Sequence, residues 1–185
     1  FWFGFLKVLP IIIVSYVSGL AIEFTFAQLR GHSINEGFLV SGMLIPLVLP
    51  PDIPLWMVAV ATIFAVIFGK EVFGGTGMNI MNPALLTRAF LFFAYPQRMS
   101  GDSVWIVDKS DAVSGATPLA LSAASETSNL PSVIDMFLGF IPGSIGETST
   151  LAILIGAVIL IFTGIGSLRI MFSVVAGGLF FGWVF

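Results

Sequence analysis

Residues 111–117 read Asp-Ala-Val-Ser-Gly-Ala-Thr, and here a mostly apolar chain becomes small, polar and chemically reactive. Ser114, Gly115 and Ala116 carry little side-chain bulk, so a second protein could approach the backbone closely and reach the Thr117 hydroxyl. A threonine hydroxyl becomes a nucleophile when a partner activates it. Thr117 is therefore a candidate for covalent modification, with Asp111 at the opening of the same segment.

The same threonine fits a structural role. Thr117 is followed by Pro118 and then by Leu-Ala-Leu-Ser-Ala-Ala, which is typical of an N-cap with proline at the first helical position. The two roles are compatible, because a phosphate esterified to an N-cap hydroxyl would lie at a helix N-terminus, where free amides favour an anion. Capping alone and capping with attachment both stay open.

A second polar segment, residues 73–82, contains three glycines, one threonine and two asparagines. Irregular backbone of this kind is costly in lipid, so we expect the segment to face a cofactor, water or other protein. Asn79 and Asn82 lie three residues apart and would project from one face if both belonged to the first helical turn. Each amide offers a donor and an acceptor, which suits the hydrogen-bonding edge of an organic cofactor. The structural alternative is that Asn82 caps the next helix and Asn79 closes a turn.

Two charged residues fall inside apolar segments. Glu23 is a functional candidate because an unpaired carboxylate is costly in a membrane, although a basic group on a neighbouring helix would also account for it. Arg88 lies within a predicted helix. We expect Arg88 to pair with Glu71, with a phosphate or carbonyl of a bound cofactor as the alternative partner.

The pattern Asp-x-x-Ser/Thr-Gly-Ala-Thr resembles the flavinylation motif in which FMN is joined through its phosphate to the final threonine. Residues 69–85 (Gly-Lys-Glu-Val-Phe-Gly-Gly-Thr-Gly-Met-Asn-Ile-Met-Asn-Pro-Ala-Leu) and residues 88–96 (Arg-Ala-Phe-Leu-Phe-Phe-Ala-Tyr-Pro) are similar to the family of the B subunit of sodium-translocating NADH:quinone oxidoreductases. The resemblance covers essentially the whole chain. The alternatives are the related D subunit of the Rnf complex, which serves ferredoxin:NAD electron transport, and a channel with no redox role.

The resemblance implies that Thr117 carries covalent FMN and that Asn79 and Asn82 hold a noncovalent riboflavin. It also implies that electrons pass from a second FMN-carrying subunit through these flavins to ubiquinone while Na⁺ is exported. The region of Gly19 and Glu23 is tied by resemblance to quinone binding and sodium uptake, although this chain has Gly19-Leu20 where the family shows Gly-Gly.

The resemblance also implies that the chain belongs to a six-subunit complex in the bacterial inner membrane. The basic residues of the predicted turns divide evenly between the two sides, so charge gives no orientation. The resemblance implies that the Thr117 loop faces the periplasm, where a flavin transferase loads it.

Composition sets the class of protein that must position these residues. Hydrophobic residues make up 57% of the chain and charged residues 9%, whereas a soluble domain carries about a quarter charged residues. The absence of cysteine excludes disulfides and cysteine-ligated iron–sulfur clusters within this chain, and a single histidine argues against a haem site. A redox role therefore requires an organic cofactor. The scattered basic residues and net charge of −3 argue against a nucleic-acid partner.

Apolar blocks separated by Gly, Pro and charges predict one all-α membrane domain over residues 1–185, a polytopic bundle in contact with lipid. Its broken helices resemble an inverted-repeat, urea-transporter-like architecture. We expect a fragment of a longer protein, with helices missing at both ends. The predicted segments are full spans at 8–29 and 53–69, a half helix at 36–49, a helix at 83–95, a polar loop at 97–150, and apolar segments at 151–163 and 170–185.

Overall fold

A computed structural model of the chain describes residues 2–31, 33, 36–99, 117–124 and 130–184. Over those ranges the backbone forms nine α-helices and one 3₁₀ turn, with no β-strand. This confirms the predicted all-α class. The comparison with urea-transporter architecture stays a prediction.

Four helices form the packed part of the molecule. α1 contacts α2 and α3, and α4 contacts α2 and α3. Side chains from all four meet in one hydrophobic core, and Phe38, Val58 and Leu91 within it are fully buried. The four helices are α1 (Trp2–Arg30), α2 (Gly37–Leu47), α3 (Leu55–Gly69) and α4 (Pro83–Ala94).

In the part of the chain that the structure describes, two segments are long and apolar enough to cross a bilayer, Phe5–Arg30 and Leu55–Phe73. Both were predicted as spanning helices from their apolar length. α1 begins earlier than expected, at Trp2, because the residues before position 8 are themselves apolar apart from Lys7. α3 begins at Leu55, directly after Pro54, whose fixed backbone angle suits the start of a helix.

α2 confirms the predicted half helix. Its 11 residues extend about 16 Å, roughly half of the hydrocarbon thickness of a bilayer. Contacts with α1 hold it: the Ser15 hydroxyl donates a hydrogen bond to the carbonyl of Gly42 (3.0 Å), and the Tyr16 hydroxyl donates to the carbonyl of Leu39 (2.7 Å). One face of this short apolar helix is therefore packed against the bundle, where Phe38, Gly42 and Ile45 are buried.

The rest of the described chain consists of short helices followed by two longer apolar ones. α7 contacts α8, and neither α8 nor α9 contains a buried residue in the part of the chain that the structure describes. Their exposed Ile, Leu, Val and Phe side chains present an apolar surface. These helices are α5 (Pro96–Met99), α6 (Pro118–Ala123), α7 (Val133–Leu138), α8 (Thr150–Phe162) and α9 (Leu168–Val184).

Candidate functional site

Thr117 lies at the edge of a cavity of about 430 Å³, which is within the size range of small-molecule pockets. The cavity is formed where α4, the start of α6 and the connection between α7 and α8 meet. Its wall is mostly apolar and carries one acidic and one basic side chain among the described residues. The lining residues are Arg88, Thr117, Pro118, Leu119, Met136, Ile141, Pro142, Gly143, Ser144, Glu147 and Thr148.

Thr117 directly precedes α6, as the sequence predicts. Its carbonyl accepts a hydrogen bond from the amide of Leu121 (3.0 Å), and Pro118 is the first residue of the helix. α6 has only six residues, so its dipole gives little support to the expected attraction of a phosphate. Asp111, Ser114, Gly115 and Ala116 lie outside the described residues, and attachment at Thr117 stays a prediction.

Arg88 extends from α4 toward the connection between α7 and α8. Its Nη1 donates to Glu147 Oε1 (3.1 Å), and the Ser144 hydroxyl donates to Glu147 Oε2 (2.5 Å). The prediction that Arg88 pairs with Glu71 is wrong. Glu71 is only 3% exposed, in the turn that follows α3, whereas Arg88 is partly exposed and faces a segment far along the chain.

The glycine-rich segment after α3 is irregular, as predicted. A 3₁₀ turn at Glu71–Phe73 leads into Gly74, Gly75 and Gly77, whose φ angles are 124°, 91° and 93°. Residues with a Cβ rarely adopt these angles, so the turn depends on glycine. The segment presents exposed backbone and exposed Met78, Ile80 and Met81 side chains just before α4.

Asn82 caps α4: its side-chain oxygen accepts hydrogen bonds from the amides of Ala84 (2.9 Å) and Leu85 (3.4 Å). Asn79 and Asn82 both precede Pro83, the first residue of α4, so they do not share a helical turn. Both side chains are exposed. Among the described residues, the Asn79 amide and the amide nitrogen of Asn82 have no hydrogen-bonding partner, which leaves donors and one acceptor available to a ligand.

Glu23 forms a buried ion pair with Lys70, which follows the last residue of α3. The carboxylate and ammonium side chains are 5% and 3% exposed. The Lys70 Nζ also lies 5.8 Å from the centre of the Phe38 ring, within reach of a cation–π contact. The structural alternative for Glu23, a basic partner on a neighbouring helix, is therefore what the structure contains.

Gly19 lies one turn before Glu23 on α1 and faces the same phenylalanine. The Phe38 ring occupies the space that a Cβ at Gly19 would require, so glycine allows α1 and α2 to approach closely. Gly19 and Glu23 thus belong to one buried cluster around Phe38. The structure brings these two predicted residues together, and neither lines the cavity at Thr117.

Two features of the site were missed from the sequence. The Oε2 atom of Glu71 is buried with no hydrogen-bonding partner among the described residues, and the Glu71 carbonyl accepts a hydrogen bond from Arg30 Nη1 (2.5 Å). Glu147 and Ser144 were not singled out either. Ser144 and Glu147 lie three residues apart, shortly before an apolar helix, and a hydroxyl and a carboxylate at that spacing often bond to each other. This spacing was the signal available in the sequence.

Known proteins match this chain over most of its length. A family model described as the NQR2, RnfD, RnfE family matches residues 1–185. Relatives named as the B subunit of Na(+)-translocating NADH-quinone reductase are 54% identical over 172 residues in Chromohalobacter salexigens, 53% over 173 in Azotobacter vinelandii and 49% over 181 in Pseudomonas aeruginosa. The alignments cover 91%, 91% and 96% of this chain but only 41%, 42% and 44% of those proteins, so the chain spans about two fifths of the length of the curated relatives it matches. With a match over its whole length, the chain belongs to the NQR2, RnfD, RnfE family.

Proposed function

We propose that this chain is the cofactor-carrying part of a membrane subunit of a sodium-translocating NADH:quinone oxidoreductase. In this function it holds covalent FMN at Thr117 and a noncovalent riboflavin near Asn79 and Asn82, on a route from NADH to ubiquinone that is coupled to Na⁺ export. The names of the three relatives support the enzyme class. The observation that carries the cofactor assignment is the position of Thr117 at the edge of the 430 Å³ cavity.

The size of the cavity and the chemistry of its wall support the proposal of a flavin at Thr117. A bound flavin supplies the one- and two-electron redox chemistry that no side chain of this chain provides. Met136, Ile141 and Pro142 offer an apolar wall for an aromatic ring, and Thr117 offers the hydroxyl for attachment. In this function the chain orients the cofactor and limits its contact with water.

The glycine-rich segment fits a second flavin. Gly74 and Gly77 are exposed and have no side chain, so a ligand can approach the backbone there, and the Asn79 amide and the Asn82 amide nitrogen offer hydrogen-bonding groups that the described protein does not use. Because Asn82 keeps its oxygen on the cap of α4, its contribution to a ligand would come from its amide nitrogen. Cap formation and ligand binding are thus compatible.

We further propose that the cluster of Gly19 and Glu23 belongs to the quinone and sodium region. The pairing of Glu23 with Lys70 supports a role in which the carboxylate is held in a fixed place within the bundle. The partners in this function are the other five subunits, especially the one carrying a second FMN, and a periplasmic flavin transferase. The setting is the bacterial inner membrane, which the subunit would cross several times with Thr117 on the periplasmic side.

The cofactor assignment is tested on the full-length subunit produced in a host that contains the flavin transferase. After denaturation and precipitation, we expect flavin fluorescence to stay with the wild-type polypeptide and to disappear in Thr117→Ala. Thr148→Ala, which changes another threonine of the same cavity, should keep the fluorescence. A colourless wild-type precipitate would refute the attachment.

The D subunit of the Rnf complex belongs to the same family and is the second candidate. The names of the three relatives favour the quinone reductase. Purification of the native complex separates the two, because an NADH-oxidising flavoprotein partner supports the first and a ferredoxin-linked partner the second. A purified complex with no visible chromophore but with solute flux in liposomes would support the channel alternative.

A further inference from the structure

We propose that Arg88 binds the phosphate of the flavin attached at Thr117, and that Glu147 positions Arg88 for this contact. The inference rests on the proposed function, because the phosphate is present only if Thr117 is modified. It adds a binding residue on α4 and a positioning residue on the connection between α7 and α8. Neither belongs to the motif around Thr117.

The first support is location. Arg88 and Thr117 line the same cavity although 29 positions separate them in the sequence. Arg88 is the only cation among the described lining residues, and the rest of the wall is apolar or neutral apart from Glu147. An anion linked to the Thr117 hydroxyl would therefore have one cationic side chain available in its own cavity.

The second support is the chemistry of the two groups. A phosphate joined to two alcohols keeps one negative charge, shared by two oxygens that carry no ester bond. A guanidinium presents its N–H groups in a planar fork that matches such a pair of oxygens. Arg88 uses one nitrogen on Glu147, and its other N–H groups have no partner among the described residues. Arg88 thus has donors to spare for a second anion.

The third support is the way Arg88 is held. Glu147 accepts from Arg88 with Oε1 and from the Ser144 hydroxyl with Oε2, so both carboxylate oxygens are engaged. The carboxylate, 56% exposed, is therefore oriented by a hydroxyl of its own segment as well as by the arginine 59 positions away. This arrangement fixes one side of a long, rotatable side chain and leaves its remaining donors free to face the cavity.

The test uses the full-length subunit in its native complex, loaded by the flavin transferase. The variants are Arg88→Lys, which keeps the charge but loses the fork, and Arg88→Gln, which loses both. Arg98→Gln removes an exposed arginine of α5 that does not line this cavity, and it serves as the matched control. The readouts are covalent flavin per polypeptide, time-resolved fluorescence anisotropy of that flavin, and its quenching by acrylamide, which is uncharged.

In Arg88→Gln we expect the ratio of immobile to mobile flavin to fall about tenfold, because the variant loses a charge-assisted hydrogen bond to the phosphate. Acrylamide quenching of the flavin should rise to match. Arg88→Lys should lie between this variant and wild type, and Arg98→Gln should equal wild type. If Arg88→Gln fails to accept flavin while Arg88→Lys and Arg98→Gln accept it, that result also supports the contact. Wild-type anisotropy and quenching in Arg88→Gln would overturn the proposal.

Two changes at Glu147 separate positioning from simple charge balance. Glu147→Ala removes the support of the guanidinium and should increase flavin mobility in the same direction as Arg88→Gln. Glu147→Gln keeps an oxygen that accepts from Arg88 and removes a negative charge near the phosphate, so flavin mobility should stay at or below the wild-type value. Equal mobility in wild type and both variants would refute the positioning role. If the wild-type protein carries no covalent flavin, the proposed function fails instead, and the anisotropy assay has no signal in any variant.

Discussion

The buried pair of Glu23 and Lys70 gives the sharpest prediction about stability. The two side chains are 5% and 3% exposed and bond to each other, so removal of either leaves an isolated charge inside the bundle. Lys70→Met should lower the free energy of unfolding by about 3–5 kcal/mol, because breaking a buried pair costs far more than the pair contributes. The lost contact of Lys70 with the Phe38 ring adds about 0.5–2 kcal/mol.

The assay is equilibrium unfolding of the full-length subunit in detergent, at one pH, with a double-mutant cycle. Glu23→Gln combined with Lys70→Met should recover most of the loss, since the double variant buries no unpaired charge. Arg169→Met, at an exposed arginine of α9, should change the unfolding free energy by less than about 0.5 kcal/mol. If Lys70→Met is as stable as Arg169→Met, or if the two single losses simply add, the pair does not hold α1 to α3.

Two further predictions concern residues with both a structural and a proposed ligand role. Gly19→Ala should lower the free energy of unfolding by about 1–3 kcal/mol, because the Phe38 ring occupies the space of the new methyl group. Gly156→Ala on α8, where that space is open, should be neutral or stabilising in the same unfolding assay. Asn82→Ala should cost about 0.5–2 kcal/mol through loss of the cap, and Asn82→Asp should keep that stability because aspartate caps equally well. If Asn82 also binds riboflavin through its amide nitrogen, Asn82→Asp should lower the riboflavin content of the purified complex while stability is unchanged; an unchanged content would leave the cap as its only role.

The sequence predicts elements well where a local rule decides them. The apolar length of residues 53–69 predicts α3, and Asn82 followed by proline predicts both the start of α4 and its cap. The glycines of residues 74–77 predict irregular backbone, because only glycine adopts the observed φ angles without strain. Each of these outcomes depends on interactions within a few residues of the chain.

The partners of charged residues depend instead on which segments meet in space. The sequence predicts that Glu23 needs a basic partner, but Lys70 is 47 positions away and only the contact of α1 with α3 selects it. For Arg88 the prediction of Glu71 fails for the same reason: α4 places the arginine against a connection 59 positions later. The periodicity of apolar residues along a helix does not predict which distant segments of the chain contact each other.

α4 gives the two proposed flavin sites a fixed relation. Asn82 caps its N-terminus and Arg88 lies six positions further on, which is about 9 Å along a helix axis. The helix is held on one side by the burial of Ala84, Thr87 and Leu91, and Gly69 of α3 lets the Leu86 side chain approach closely. Regular helix geometry, and not a loop, sets this separation. Side-chain changes around either site should therefore alter cofactor occupancy before they alter the spacing of Asn82 and Arg88. For electron transfer, which depends on distance, a rigid helix would keep the Asn82 contact of one proposed cofactor and the Arg88 contact of the other at a constant separation.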